Sequence, residues 1–132
     1  MSLYYADTSA ALKLLVEETH SQALAAFYDA DPQAVWVSSA LLRIELVRAL
    51  RRAAPALLPA AEELLTAFSY IAMSDDVVEG ARSEPDPMLR SLDAIHLATA
   101  RLLASELDAF LTYDERLRRA ATAAGILTAS PQ

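Results

Sequence analysis

The segment LYYADTSAALKLLVEE, residues 3–18, joins a β-prone run to a helical pattern. The run Leu3–Ala6 is short and contains two tyrosines, which is typical of a strand. Apolar residues then recur at spacings of three and four, namely Ala11, Leu12, Leu15 and Val16. This spacing predicts a helix that Thr8 or Ser9 can cap. The segment therefore predicts a strand followed at once by a helix, with Asp7 at the junction.

The same alternation of strand and helix recurs along the rest of the chain. Four more short runs are predicted as strands: AVWVSS (34–39), YIAM (70–73), AFLT (109–112) and ILTA (126–129). Helical patterns lie between them, including ALLRIELVRALRRA (40–53), a helix from about Ala60 to Phe68, SLDAIHLATARLLASE (91–106) and YDERLRRAATAAG (113–125). This order favours an α/β fold with a parallel sheet covered on both faces. The length of 132 residues suits one such domain, residues 1–132, and is too short for two.

Composition restricts the class of protein. The chain has no cysteine, which excludes disulfides and thiolate metal sites, and it shows no N-terminal export signal, so we expect a cytoplasmic protein. No apolar run approaches the roughly 20 residues of a membrane-spanning helix. The net charge of -7 argues against a protein that coats nucleic acid generally, but it leaves open a local site for a phosphate-containing substrate.

Two acidic residues follow predicted strands. Asp7 comes directly after the first strand, and Asp114 comes shortly after the fourth. In open α/β sheets ligands bind at the carboxyl ends of the strands, so both acids are expected at the binding edge. Asp108 precedes its strand and is expected at the opposite edge, as a solvated loop residue.

Two further acids lie in helical patterns. Glu45 has mainly apolar neighbours at helical spacing, which suits either a functional carboxylate or an ion pair with Arg48. Asp93 falls in the first turn of its helix, where it either serves a site or opposes the helix dipole. Carboxylates that are brought together repel one another unless a cation neutralises them or some become protonated. Because the chain has no cysteine and only two histidines, a cation bound here is expected to be Mg²⁺ or Mn²⁺.

Four fragments in this order resemble the PIN domain, and in particular the VapC toxins of bacterial type II toxin–antitoxin pairs. They are YYADTSAALKLL (4–15), RIE (43–45), LDAIHLATA (92–100) and FLTYD (110–114), and together they span most of the chain. The resemblance implies a three-layer α/β/α sandwich on a parallel five-stranded sheet with strand order 3-2-1-4-5. In that order the first and fourth strands are neighbours, which would bring Asp7 and Asp114 together.

The resemblance also implies a metal-dependent endoribonuclease that hydrolyses RNA phosphodiester bonds with Mg²⁺ or Mn²⁺. It assigns catalysis and metal binding to Asp7, Glu45, Asp93 and Asp114, and it matches the hydroxyl-bearing neighbours Thr8, Ser9 and Thr112. Candidates for contacting the RNA backbone are Arg116, Arg118 and Arg119 and, more weakly, Lys13 and Arg90, with a solvated helix face as the alternative. For His96 we favour a capping or packing role over that of a general acid.

Likeness to VapC toxins further implies partners. These are a VapB-type antitoxin that holds the toxin inactive, a second copy in a homodimer, and a tRNA or rRNA substrate whose cleavage inhibits translation. Haloacid-dehalogenase-like phosphatases and receiver domains are weaker alternatives. The former use Asp-x-Asp, where this chain has Ser9 as the third residue, and the latter need a lysine late in the sheet, whereas Lys13 is the only lysine. A binding module whose acidic pocket receives a partner's arginine also stays open.

Overall fold

The computed structural model describes residues 1–132, and its centre is a five-stranded parallel sheet. The strands are β1 (Leu3–Ala6), β2 (Val35–Ser39), β3 (Ser69–Ile71), β4 (Ala109–Leu111) and β5 (Thr128–Ala129). Their order across the sheet is β3-β2-β1-β4-β5, and every neighbouring pair is parallel. The predicted parallel sheet and its strand order are confirmed.

Seven α-helices cover the sheet. They are α1 (Thr8–Leu15), α2 (Ser21–Asp29), α3 (Leu42–Ala53), α4 (Leu58–Thr66), α5 (Asp75–Arg82), α6 (Ser91–Arg101) and α7 (Glu115–Ala123), with one 3-10 turn at Pro55–Leu57. The fourth helix begins and ends two residues earlier than the sequence pattern predicted. None of the helices is both long and apolar enough to cross a membrane.

Two apolar cores lie on opposite faces of the sheet, because successive strand side chains alternate between the faces. The core shared with α1, α3 and α4 includes Ala6, Ala11, Trp36, Leu46, Leu65 and Leu111. The core shared with α6 and α7 includes Tyr5, Val37, Leu97, Phe110 and Leu117. Helices therefore cover both faces, and the predicted three-layer architecture is confirmed.

The register of the central strands brings the ends of β1 and β4 together. Ala6 pairs with Leu111, and the Asp7 amide donates to the Leu111 carbonyl oxygen at 3.2 Å. The residues that follow both strands therefore lie at one edge of the sheet, which we call the site edge. Asp108 lies at the opposite edge as predicted, where its Oδ2 accepts a hydrogen bond from the Leu3 amide at 2.8 Å.

The cap of α1 differs from the prediction. The N-cap residue is Asp7 and neither Thr8 nor Ser9, because the Asp7 Oδ1 accepts a hydrogen bond from the Ala10 amide at 2.9 Å. Asp114 caps α7 in the same way, accepting from the Leu117 amide at 2.9 Å. Two of the four predicted site acids therefore also satisfy amides at the start of a helix.

Candidate active site

Asp7 is the most deeply buried acid of the site edge. Its side chain lies at the start of α1, and the residue is 2% exposed. Both carboxylate oxygens are engaged: Oδ1 accepts from Ser9 Oγ at 2.7 Å and from the Ala10 amide, and Oδ2 accepts from Thr112 Oγ1 at 2.5 Å. Burial raises the pKa of Asp7 above its usual range, while His96 and these hydrogen bonds oppose the increase.

Thr112 and Ser9 connect Asp7 to the loop that carries Asp114. The Thr112 hydroxyl donates to Asp7 and accepts from the Asp114 amide at 3.1 Å. Ser9 Oγ likewise donates to Asp7 and accepts from the Tyr113 amide at 2.9 Å. Two of the three hydroxyl residues that the sequence matched to the site therefore hold the β4–α7 loop against the start of α1.

Glu45 is paired with a histidine. His96 Nε2 lies 2.7 Å from Glu45 Oε1, and Thr8 Oγ1 donates to the same oxygen at 2.7 Å. No ion pair joins Glu45 to Arg48, so that alternative for Glu45 was wrong. The sequence did not reveal this pair because its members are 51 positions apart and α3 and α6 meet only in the folded chain.

A buried tyrosine orients His96. The Tyr5 hydroxyl accepts from the Ser39 amide at 3.1 Å and lies 2.7 Å from His96 Nδ1. Burial raises the pKa of Tyr5, which keeps its hydroxyl protonated and able to donate to Nδ1. Because a carboxylate can only accept, Nε2 carries the hydrogen that is donated to Glu45. His96 is 1% exposed, so it packs in the interior and also contacts the site acid Glu45.

Asp93 differs from the other three site acids because its side chain accepts no hydrogen bond from the protein, whereas theirs do. It lies in the first turn of α6 and is half-buried. Burial raises the pKa of Asp93 to about 6, and the negative charges of Asp114, Asp7 and Glu45 add to the increase, against His96. All four predicted acids therefore lie close enough for the charges of the other three to act on Asp93.

The predicted RNA-contacting arginines of α7 are held by other groups. Arg118 donates to Glu115 through two nitrogens, and Arg119 Nε lies 3.7 Å from the same carboxylate. Arg116 donates to the Met88 carbonyl oxygen at 3.0 Å. Arg118 and Arg119 are thus compatible with the alternative of a solvated helix face, whereas Arg116 contacts the backbone before α6.

Lys13 has structural contacts as well. Its Nζ donates to the Thr19 carbonyl oxygen at 2.7 Å, lies 3.8 Å from Glu18 and sits 4.7 Å from the centre of the Tyr113 ring. Arg90 is exposed at the N-cap of α6 and has no side-chain capping bond. Of the weaker RNA-contact candidates, only Arg90 is therefore free.

The donor set suits a hard divalent cation, because carboxylate oxygens are the ligands that Mg²⁺ and Mn²⁺ prefer. Asp93 in particular is a charged group with like charges around it and no hydrogen bond to offset them. As the side chains stand, no three acidic or histidine residues form a group that could ligate one ion directly. Three of the four carboxylate oxygens of Asp7 and Asp114 accept hydrogen bonds from the protein.

Comparison with known proteins places this geometry in a family. The model of the PIN domain matches residues 4–123. The chain belongs to the PIN domain family. It is 40% identical over 131 residues to "Ribonuclease VapC35" of Mycobacterium tuberculosis, covering 98% of this chain and 97% of that relative. It is 37% identical over 132 residues to "Ribonuclease VapC47" of the same species, again covering 98% and 97%.

Solved structures share the PIN fold at lower identity. VapBC2 from Rickettsia felis, bound to a promoter DNA fragment, has a TM-score of 0.74 at 9% identity and covers 98% of this chain and 99% of its own. FitAcB from Neisseria gonorrhoeae has a TM-score of 0.68 at 18% identity and covers 97% of both chains. The haloacid-dehalogenase-like and receiver alternatives are set aside by the PIN family match.

Proposed function

We propose that this PIN domain, spanning residues 1–132, is a divalent-metal-dependent endoribonuclease toxin. The support is its 40% identity to a protein named as a VapC ribonuclease, together with four acids at one edge of the sheet. The single observation that carries the metal dependence is Asp93. A half-buried carboxylate among like charges, without a hydrogen bond to the protein, is unfavourable unless a cation occupies the site or the carboxyl takes up a proton, and at pH 7 a cation is the alternative that keeps it ionised.

Asp7, Asp93 and Asp114 would hold Mg²⁺ or Mn²⁺, and Glu45 would serve as a further ligand or as the base that orients water. When bound, such an ion supplies a water of lowered pKa and neutralises charge at the phosphorus. The residues of the chain supply the positioning. Thr112 holds Asp7 and, through the Asp114 amide, the start of α7. This contact fixes the relative placement of two carboxylates.

Two hydrogen bonds to Oε1 fix the orientation of the Glu45 carboxylate. Thr8 and His96 both donate to Oε1, which leaves Oε2 as the oxygen available to a water molecule. Tyr5 keeps His96 in the orientation that this requires. We propose His96 as a positioning residue that acts through Glu45, in place of the general acid considered from the sequence.

The toxin assignment extends to partners. We propose that a VapB-type antitoxin neutralises the protein, that the toxin acts as a homodimer in the cytoplasm, and that its substrate is a tRNA or rRNA whose cleavage inhibits translation. The names of the relatives support the ribonuclease part, and the antitoxin complexes among the structural neighbours support the partner. Co-expression with its VapB-type antitoxin should relieve growth arrest if this pairing is right.

A cleavage assay tests the proposed activity. Purified protein should cut a structured RNA in Mg²⁺ or Mn²⁺, and Asp7→Asn and Asp114→Asn should each reduce the rate by at least about 100-fold, the scale of losing one preorganised charge at a reacting phosphate. Asp108→Asn is the matched control, because that acid lies at the opposite edge. Equal losses in all three variants would contradict the assignment, as would full activity in Asp114→Asn. Circular dichroism would verify that each variant is folded.

A further inference from the structure

Helix α3 carries an excess of positive charge in an acidic chain. Its twelve residues contain four arginines and one glutamate, a net charge of +3, whereas the whole chain carries -7. The glutamate is Glu45 of the acidic site, and the arginines are Arg43, Arg48, Arg51 and Arg52. Positive charge that departs this far from the chain average would attract an anionic ligand to α3.

Three of these four arginines have no partner. The ion pairs of the chain use other arginines, namely Arg82, Arg101, Arg118 and Arg119. Arg43 lies over the Tyr70 ring at 4.7 Å. Arg48, Arg51 and Arg52 are within salt-bridge distance of no carboxylate, and all are exposed. Their guanidinium groups are therefore free to meet a ligand.

Two of the free arginines line a groove that leads away from the acidic site. The groove has a volume of about 390 Å³, with Thr8 and Glu45 at its site end and Arg48 and Arg52 farther along. Its walls include Ile44 and Leu92, which are 58% and 47% exposed. The groove therefore has cationic and apolar walls, and it begins at Glu45 of the acidic site.

Helical spacing orders the groove. Residues three and seven positions after Glu45 lie on the same face of a helix, at about 4.5 and 10.5 Å along its axis from a rise of about 1.5 Å per residue. These are Arg48 and Arg52, about 6 Å apart along the axis. Arg51 belongs to the same helix and is equally unpaired, but it does not line the groove.

We propose that this groove binds single-stranded RNA beside the acidic site, with Arg48 and Arg52 contacting successive backbone phosphates. The proposal rests on the ribonuclease function proposed above. Guanidinium groups recognise phosphate through paired hydrogen bonds, and the exposed apolar walls suit unstacked bases. The strand would then run along α3 and reach the scissile phosphate at Glu45.

The test compares two variants of one helix. Arg48→Gln/Arg52→Gln removes the groove cations, and Arg51→Gln removes a free arginine outside the groove. Binding of a fluorescein-labelled single-stranded RNA is followed by anisotropy in EDTA over a range of KCl concentrations, so that no cleavage intervenes. The double variant should bind at least tenfold more weakly. The slope of its log K against log salt concentration should fall in magnitude by about 1.4, because each lost contact with a single-stranded phosphate removes about 0.7 and two contacts are lost. Arg51→Gln should match the wild type.

Three results would overturn the proposal. Unchanged RNA binding in the double variant would do so, as would an equal loss in Arg51→Gln, which would indicate general charge attraction. Loss of binding to a co-purified protein partner with RNA binding intact would assign the groove to that partner. Cleavage kinetics in Mg²⁺ separate this proposal from the enzymatic one: cleavage that does not depend on Arg48 and Arg52 refutes the groove alone, whereas groove-dependent binding without cleavage refutes the nuclease alone.

Discussion

Asp93 has two possible roles, a carboxylate of a metal site or an acid that opposes the helix dipole, and replacing it with Asn distinguishes them. The two roles predict changes of opposite sign in the free energy of unfolding. The carboxyl has a pKa of about 6 in the fold against 3.8 in the unfolded chain. That difference corresponds to about 3 kcal/mol, and solvent screening of a half-buried group reduces it to about 1–2 kcal/mol. The folded chain binds the proton of Asp93 more tightly than the unfolded chain does, so ionising Asp93 destabilises the fold. This loss of stability is absent below the unfolded pKa, grows as pH rises between the two pKa values, and is complete above the folded pKa.

The assay is urea unfolding of the metal-free protein in EDTA. At pH 7.5, Asp93→Asn should raise the free energy of unfolding by about 1 kcal/mol, because the relieved desolvation and repulsion of the charge exceed a helix-dipole loss of about 0.5 kcal/mol. Near pH 4 the gain should disappear. Asp76→Asn is the control, since Asp76 is an exposed first-turn acid of α5 and should only lose its dipole interaction. Equal destabilisation of the two variants would refute the reasoning.

The same variant should respond differently to metal. Mn²⁺ should raise the unfolding midpoint of the wild type through preferential binding to the folded state. Asp93→Asn should show little of this increase, while Asp76→Asn should show all of it. A Mn²⁺ effect that survives in Asp93→Asn would remove this residue from the site.

Other predictions concern the hydrogen bonds of the site. Thr112→Val should lower the free energy of unfolding by about 1–3 kcal/mol, because buried Asp7 loses a donor, and unchanged urea midpoints would contradict this. Tyr5→Phe should free the imidazole of His96 and lower kcat with little change in KM. Tyr4→Phe is the control, since the Tyr4 hydroxyl makes no hydrogen bond, and equal kcat values in the two variants would argue against a positioning role.

The fold follows closely from local sequence signals. Runs such as LYYA and AVWVSS, each followed by a helical pattern, predicted the strands because a doubly covered parallel sheet needs buried apolar strands. The site edge followed from the same logic, since Asp7 and Asp114 come after neighbouring strands. The strand order itself came from the family resemblance and had no basis in the spacing.

Side-chain partners could not be predicted in this way. The Glu45–His96 pair joins residues 51 positions apart, and its geometry depends on how α3 and α6 pack. The arginines of α7 looked available in the sequence, but Glu115 at helical spacing engages two of them. Arg48, considered from the sequence as an ion-pair partner of Glu45, forms no ion pair with it, although both residues line one groove. Tertiary contacts such as Glu45–His96 leave no periodic signal in the sequence. The spacing of Glu115 with Arg118 and Arg119 is visible in the sequence, but the rotamers that form these pairs are not.

Analysis of the ends of RNA products tests the central claim most directly. A labelled RNA incubated with the purified protein in Mg²⁺ or Mn²⁺ should give fragments with 5′-phosphate and 3′-hydroxyl ends, because activated water is the nucleophile. No fragments should form in EDTA, and Asp93→Asn should abolish them in metal. Fragments that carry 2′,3′-cyclic phosphates in EDTA, at a rate that Asp93→Asn does not change, would contradict the account.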